Sequence, residues 1–318
     1  MSFLTLLIPV LLLVNLILLI LSLKKPKGIL WPLTGLLAGI FFIFSTVSIS
    51  PLADPKEADF SVLTYNVRNF SEESPKRKDL YVASEGMVNW VTSVNADVKC
   101  FQEYTPARLK VDKKLKADGY SLTPWKYPGD RYAGSLVIAS RFPILKSGKV
   151  TLYKKKPISR INGAVFADLK VANDTIRVYN AHLHSMGINQ NDVTDKDRLI
   201  NTYKRTGNKL KYGMAKRAEQ VNILLEHIEA SPYPVVLCGD FNDPPYTYSY
   251  FKLKQKLGNA FERAGNGFGF TFNGKLFFLR IDQQFFGKGI DAVAYKTMDK
   301  IAYSDHFPVM SWYKLSND

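Results

Sequence analysis

The chain predicts an α/β domain behind an N-terminal stretch of different composition, and three observations carry that reading. Short apolar runs of strand length alternate with segments of helical period. Several of those runs close on Asn, Glu, His or Asp. Residues 3–23 and 29–49 contain no charge at all. With 46% hydrophobic and 22% charged residues, the composition is globular and excludes the disordered class. Of the net charge of +15, Lys24, Lys25 and Lys27 contribute three and leave +12 on everything after residue 50. So basic a body draws polyanions or anionic surfaces, whatever its fold.

In chain order, only Thr5, Asn15 and Ser22 interrupt the aliphatic run at 3–23, and the run is long enough to span a bilayer. The second run, 29–49, follows a tight basic turn, Lys24-Lys-Pro-Lys-Gly28. Together they read as a transmembrane hairpin whose loop lysines stay cytoplasmic. That predicts an integral protein of the inner membrane, with the catalytic domain on the non-cytoplasmic side and the lipid bilayer as a partner through residues 1–50. A cleaved signal peptide is the competing reading, opposed by the second span and the missing basic n-region. Pro9 and Pro32 are tolerable in membrane helices. The division is a hairpin at 1–50, a polar tether at 51–58 and a catalytic domain at 59–318.

Phe60 to Val67 reads as a strand, and the charged, proline-bearing Ser71–Lys78 as a loop. Tyr81–Val91 has helical spacing, with Val82, Gly86, Met87 and Trp90 on one face. Asp97–Gln102, Ser135–Ser140 and Thr175–Leu183 are further strands. Gly187–Gly213 is long, polar and basic, predicting a surface loop or a lid. Met214, Ala218, Val221, Leu225 and Ile228 then recur at helical spacing. The helix leads into Pro234-Val-Val-Leu-Cys-Gly-Asp-Phe-Asn-Asp-Pro-Pro245, a buried strand that ends in oxygen-bearing side chains and a proline stop. Arg280–Phe286, Ile290–Tyr295 and Phe307–Tyr313 complete the strands, and Leu276–Leu279 reads as core strand. Cys100 and Cys238, both in apolar runs, read as buried thiols.

Asn66, Glu103, His182 and Asp240 each close a strand, and Asp305-His306 precede another. One such ending is an ordinary Asx turn. Five built to one plan suggest a rim of hard oxygen ligands with two histidines, suited to Mg²⁺, Mn²⁺ or Ca²⁺ rather than zinc. His184 and His227 receive no role. For Arg131, Arg141 and Arg160 a structural or surface role outweighs a phosphate clamp.

The motifs Leu-Thr-Tyr-Asn-Val (63–67), Phe-Gln-Glu (101–103), Asn-Ala-His-Leu (180–183), Gly-Asp-Phe-Asn (239–242), Arg-Ile-Asp (280–282) and Ser-Asp-His-Phe-Pro (304–308) resemble the endonuclease/exonuclease/phosphatase superfamily, in its order, over 59–315. The resemblance implies a four-layer α/β (α+β) sandwich, two packed β-sheets flanked by helices, with the active site at one edge. It implies Glu103 as principal metal ligand, Asn66 and Asp305 close to the metal, and Mg²⁺ (or Mn²⁺) as cofactor. Asp240 aligns or deprotonates the attacking water, and Asn242 hydrogen-bonds the phosphate. His306, oriented by Asp282, and His182 supply general acid and electrostatic help. The expected activity is phosphodiester hydrolysis on nucleic acid or a phospholipid headgroup, with a phosphomonoesterase or an inactive tethered binding module as alternatives. Two departures stand out. Arg68 occupies a position where the apurinic-site endonuclease branch carries an acid, which speaks against a second metal there. Gln283-Gln284 follow Arg-Ile-Asp where an aromatic is common.

Overall fold

The structure is a computed structural model that describes residues 7–51, 54–74, 77–105, 109–124, 136–153, 162–187 and 196–316. Arg131 and Arg160 lie outside these residues.

Charge-free sequence at the N-terminus does form helices: α1 (Ile8–Ser22), α2 (Leu30–Ala38) and α3 (Ile40–Thr46). α1 and α2 fold against each other as a hairpin, tight enough that a Cβ on Gly35 would meet Asn15 Oδ1 at 2.4 Å. The arms are nonetheless short. α1 has 15 residues, about 22 Å at 1.5 Å per residue, against a hydrocarbon core of ~30 Å. The second run is divided at Gly39, which ends α2 and starts α3. Among the described residues no helix is long and apolar enough to cross a membrane. This overturns the integral-membrane placement with an outward-facing domain, and leaves the transmembrane hairpin and the bilayer partnership drawn from it without support. Instead, the end of the segment docks on the body. Phe42 meets Phe251 edge-on at 5.4 Å, the buried Arg280 donates Nη2 to Ser45 O, and β1 (Ser48–Ile49) pairs with β13 (Asn266–Gly267).

The body is two six-stranded sheets face to face. One runs β12 (Gly258–Asn259), β14 (Asp282–Phe286), β11 (Val235–Asp240), β10 (Asp174–His182), β9 (Gly163–Val171), β8 (Ile144–Val150). The other runs β15 (Ile290–Thr297), β16 (Val309–Leu315), β2 (Phe60–Asn66), β5 (Val98–Gln102), β7 (Val137–Ser140), β6 (Ser121–Leu122). Val62, Val98, Cys100 and Ile138 of one sheet meet Val178, Val236 and Cys238 of the other in the central core. Both cysteines are free and buried there. Outside, α4 (Glu85–Ser93) and α5 (Val111–Ala117) cover Tyr65 and Phe101 with Met87, Val91 and Leu115. On the opposite face α6 (Lys196–Glu229) and α7 (Tyr248–Lys254) cover Leu237 and Phe285 with Val221, Leu225 and Leu253. These are the four layers the resemblance implies.

Local readings diverge at several points. The described part of Gly187–Gly213 is not loop from Lys196 on but the first half of α6, because apolar residues are sparse there while no proline stops the helix. Ser71–Ser74 and Arg77–Ala83 form a hairpin, β3 and β4, so strand continues into the stretch expected as helix and α4 begins only at Glu85, capped by Ser84. The 276–279 stretch is not core strand, with Phe277 and Phe278 more than half exposed.

Each sheet has one parallel pair, β2 with β5 and β10 with β11. Parallel neighbours end on the same side of a sheet, and so Asn66 pairs with Gln102, and His182 with Asp240, at one rim. Antiparallel β14 starts where β11 ends, placing Asp282 opposite Asp240. The fold thereby sets His182, Asp240 and Asp282 in one row.

Candidate active site

Gly239 makes that row possible. Its φ is +140°, and a Cβ there would meet Ala181 O at 1.9 Å. No other residue lets β11 approach β10 so closely before Asp240. Beyond the strand ends, Arg68, Asn69, Phe70, Glu103 and Asn242 all have positive φ without being glycine. Five of the seven such residues described in the chain thus sit at this rim, the pattern of backbone held off its preferred wells at a functional site.

Asp240 is the hub and is 1% exposed. Its Oδ2 accepts from Asn66 Nδ2 at 3.0 Å and lies 3.5 Å from His182 Nε2 and 3.7 Å from His306 Nε2. Its Oδ1 accepts the Asn242 backbone N–H at 2.8 Å. His306 Nδ1 meets both Asp282 oxygens, at 2.9 and 3.1 Å. Asp282 is held by a hydrogen bond from its backbone N–H to Thr271 Oγ1 at 3.1 Å. Burial alone would lower the His306 pKa, but the charges of Asp282 and Asp240 outweigh it and push it up to about 10. Burial raises the Asp282 carboxyl, against the pull of His306. The two carboxylates therefore favour the cationic imidazole, the form that carries a proton on Nε2. His182 Nδ1 is buried with no hydrogen-bond partner, so no acid among the described residues orients that ring from behind.

The other half of the rim is open. Glu103 Oε1 accepts from Asn66 Nδ2 at 3.3 Å. Asp305 is half-buried, with Arg68 Nε 3.9 Å from its Oδ2. Ser304 Oγ links the pieces, donating to Asn66 O at 2.8 Å and lying 3.2 Å from Asp305 Oδ1. Among the described residues Asn66 Oδ1 accepts the Arg68 N–H alone, at 3.1 Å, and a carbonyl oxygen has a second lone pair. Two carboxylates and an amide oxygen without thiolate fit a hard divalent cation. Asp240, Asp282 and His306 also place one ligand atom each within 4.8 Å of one another. Both Asp282 oxygens already face His306 Nδ1 there, which suits an acid–imidazole pair better than a cation.

All eight residues expected from the sequence stand on or beside this rim. His184 and His227 stand away from it: His184 stacks edge-on against Tyr212, and His227 Nδ1 bonds Tyr179 OH at 2.9 Å. Arg141 donates to Asn95 Oδ1 at 2.5 Å and covers Tyr120, a structural role. What the sequence reading missed lies beneath the rim. Gln102 Nε2 donates to Asn180 Oδ1 at 2.6 Å and so ties the two sheets together under the site. Gln284 on β14, two strands from β10, does the same, donating to Val62 O and Val309 O at 3.1 Å each. The signal was present: an amide inside an apolar strand needs a buried partner. Gln284 in that departure is thus a sheet-to-sheet strut, whereas Gln283 Nε2 donates to Arg280 O at 2.9 Å.

Two sheets flanked by helices thus bring carboxylates, an amide and two imidazoles to one rim. The Endonuclease/Exonuclease/phosphatase family profile matches residues 63–306, and the chain belongs to that family. Its members are hydrolases of phosphoester bonds and generally depend on a divalent metal. No curated protein sequence matches the chain. Among solved structures, a family protein from Bacteroides thetaiotaomicron is 20% identical at a TM-score of 0.59, covering 81% of this chain and 98% of that one. A mannosyl-6-phosphatase of the same organism is 19% identical at 0.56, covering 80% and 99%. ANGEL2, a 2',3'-cyclic phosphatase, is 16% identical at 0.58, covering 80% and 95%. At such identities the likeness is one of fold.

Proposed function

We propose that the chain hydrolyses phosphodiester bonds by in-line attack of water with Mg²⁺ as cofactor, and that nucleic acid is its substrate class. The hub carries this reading: one buried carboxylate, Asp240, facing two imidazoles and an amide. Glu103, Asp305 and Asn66 Oδ1 would hold the cation. When bound, it draws charge from a non-bridging phosphate oxygen. Asp240 aligns the water and takes its proton. The second proton of Asn242 Nδ2, whose first is donated to Leu183 O at 3.2 Å, has no acceptor among the described residues and would serve the phosphate. His306, kept cationic by Asp282, donates from Nε2 to a phosphate oxygen or the leaving group, and His182 adds a second donor. The charge of +12 beyond residue 50 favours a polyanion over a neutral ester.

A phosphomonoesterase is the second reading, favoured by the fold likeness to a mannosyl-6-phosphatase. An inert binding module has no use for a buried, oriented acid–imidazole pair. The deciding experiment supplies the purified chain with bis(p-nitrophenyl) phosphate, p-nitrophenyl phosphate and single-stranded oligonucleotides, each with Mg²⁺ or with EDTA. Cleavage of the diesters only, lost in EDTA, is the expected result. Turnover of the monoester alone moves the protein to the second reading, and full activity in EDTA sinks the mechanism.

A further inference from the structure

Arg217 on α6 is 1% exposed, one of the largest fully buried side chains described, and none of the site chemistry above uses it. Its Nη2 stands 3.2 Å from Asp243 Oδ1, on a carboxylate whose side chain is 4% exposed. Its Nη1 donates to His184 O at 2.9 Å. One turn along the same helix face, Gln220 Oε1 accepts the His184 N–H at 2.8 Å. Arg217 and Gln220 therefore hold both backbone groups of one residue, and Arg217 holds Asp243 as well. At Gly213 the helix lies flush against the same segment, where a Cβ would come within 3.4 Å of Ser185 O.

The two gripped residues are informative. His184 comes two residues after His182, and Asp243 follows Asn242 and stands three after Asp240. Between them Leu183 N donates to Asp240 O at 2.9 Å, and Leu183 O accepts from Asn242 Nδ2 at 3.2 Å and Asn162 Nδ2 at 2.7 Å. The grip spans the two strand ends whose relative placement sets the 3.5 Å approach of His182 Nε2 to Asp240 Oδ2.

A buried ion pair is weak evidence of stability, since apolar residues of the same volume do as well or better. This pair is also imperfect: Arg217 Nε and Asp243 Oδ1 are buried without a hydrogen-bond partner. Stability alone would not select so costly an arrangement, whereas a planar fork reaching two separate loops at once cannot be replaced by an aliphatic chain. We propose that Arg217, with Asp243 as its counter-ion and Gln220 beside it, is a positioning residue that clamps the β10 and β11 ends and so sets His182 and Asn242 against Asp240.

The inference rests on the hydrolase reading, and its test separates the two. Arg217→Met alone leaves Asp243 buried without its counter-ion and risks unfolding. The paired change Arg217→Met/Asp243→Leu removes both charges and keeps the volume. Displacements of about 1 Å can cost on the order of 10²-fold in rate. The folded double variant should lose roughly 10- to 100-fold in kcat on bis(p-nitrophenyl) phosphate with KM within about twofold, the signature of a contact realised in the transition state. Arg217→Lys keeps the ion pair but not the fork, and should recover part of the loss. Amide exchange reads the clamp without turnover: the Leu183 N–H should lose protection by at least about tenfold in the double variant, while Ala167 in β9 keeps its own. A folded double variant with normal kcat, or one whose Leu183 amide stays protected, overturns the clamp. Were the native chain to cleave no phosphoester, the hydrolase reading would fall while the exchange result still decided the clamp.

Discussion

On one side of the rim His182, Asp240, Asp282 and His306 are each exposed by 5% or less; on the other, Glu103 and Asp305 remain half-buried beside Arg68. The two halves share Asn66, whose amide reaches Glu103 and Asp240 at once, yet their chemistry differs because water does. Where water is excluded, charge–charge interactions are strong, so the pair Asp282–His306 can fix a proton on the imidazole. Where water enters, carboxylates keep a hydration shell that a hard cation can exchange, as Mg²⁺ needs, since it gives up only part of its own. On the proposed reading, the buried half would handle protons and the open half would hold the ion.

The largest effect should come from the open half. Removing divalent metal with EDTA takes away several kcal/mol of transition-state stabilisation, about 10⁴ in rate. Mg²⁺ or Mn²⁺ should restore it, and Glu103→Gln should resist that restoration at metal concentrations that saturate the native chain. If Asp282→Asn abolished metal binding while Glu103→Gln left it intact, the halves would be exchanged and the cation would belong with the buried cluster. Calorimetric Mg²⁺ titration of both variants distinguishes these outcomes.

Next in size are the imidazoles. His306→Ala should slow turnover by roughly 10³, within the usual range for general acid–base groups, with KM little changed. Because Asp282 acts through His306, the double variant Asp282→Asn/His306→Ala should be scarcely slower than His306→Ala. Independent, multiplying losses would mean that the buried half is not one unit.

How much of this contrast could be read from the chain follows from how each residue is specified. The eight site residues sit at strand ends inside short motifs, and a polar residue closing an apolar run is visible without a structure. The division into wet and dry halves was not visible, because it depends on β14 running antiparallel to β11 and bringing Asp282 opposite Asp240. The struts Gln102–Asn180 and Gln284 were hidden for the same reason, their partners being in the other sheet. Arg217 stood in plain sight on a helical face but looks like any helix-surface arginine until Asp243 folds over it. At the N-terminus the uncharged runs 3–23 and 29–49 have the length of spans in sequence, but the helices they form are shorter, and Gly39 divides the second run.

A smaller effect sharpens the buried half further. His306 in the fold has its pKa raised from 6.5 to about 10. Stabilisation from its charged form is therefore fully present below about 6.5 and is lost as pH rises through about 10. The rate should fall along an alkaline limb in the same region, since the cationic form is the donor. Asp282→Asn removes the first of the two charges that hold the proton, so the limb should move to lower pH, and the variant should lose about tenfold at pH 8. A limb that stays in place would show that Asp240 alone keeps the imidazole charged.

The smallest effect belongs to His184, and its smallness is informative. The residue lies two positions beyond His182 on the same strand end, so a mistaken pairing of motif to function would fall on it. Its ring, however, leans on Tyr212 rather than on the hub, and burial, followed by the charges of Arg217 and Lys216, lowers its pKa. A neutral imidazole offers a phosphate far less than the cation at His306. What α6 grips is the His184 backbone, through Arg217 and Gln220, and alanine keeps both backbone groups. His184→Ala should therefore stay within about twofold of the native rate, the range of changes that touch no special contact. A loss as large as that of His182→Ala would place the second donor of the buried half at 184, and the water-excluded half of the rim would then extend one strand end further than the hub around Asp240.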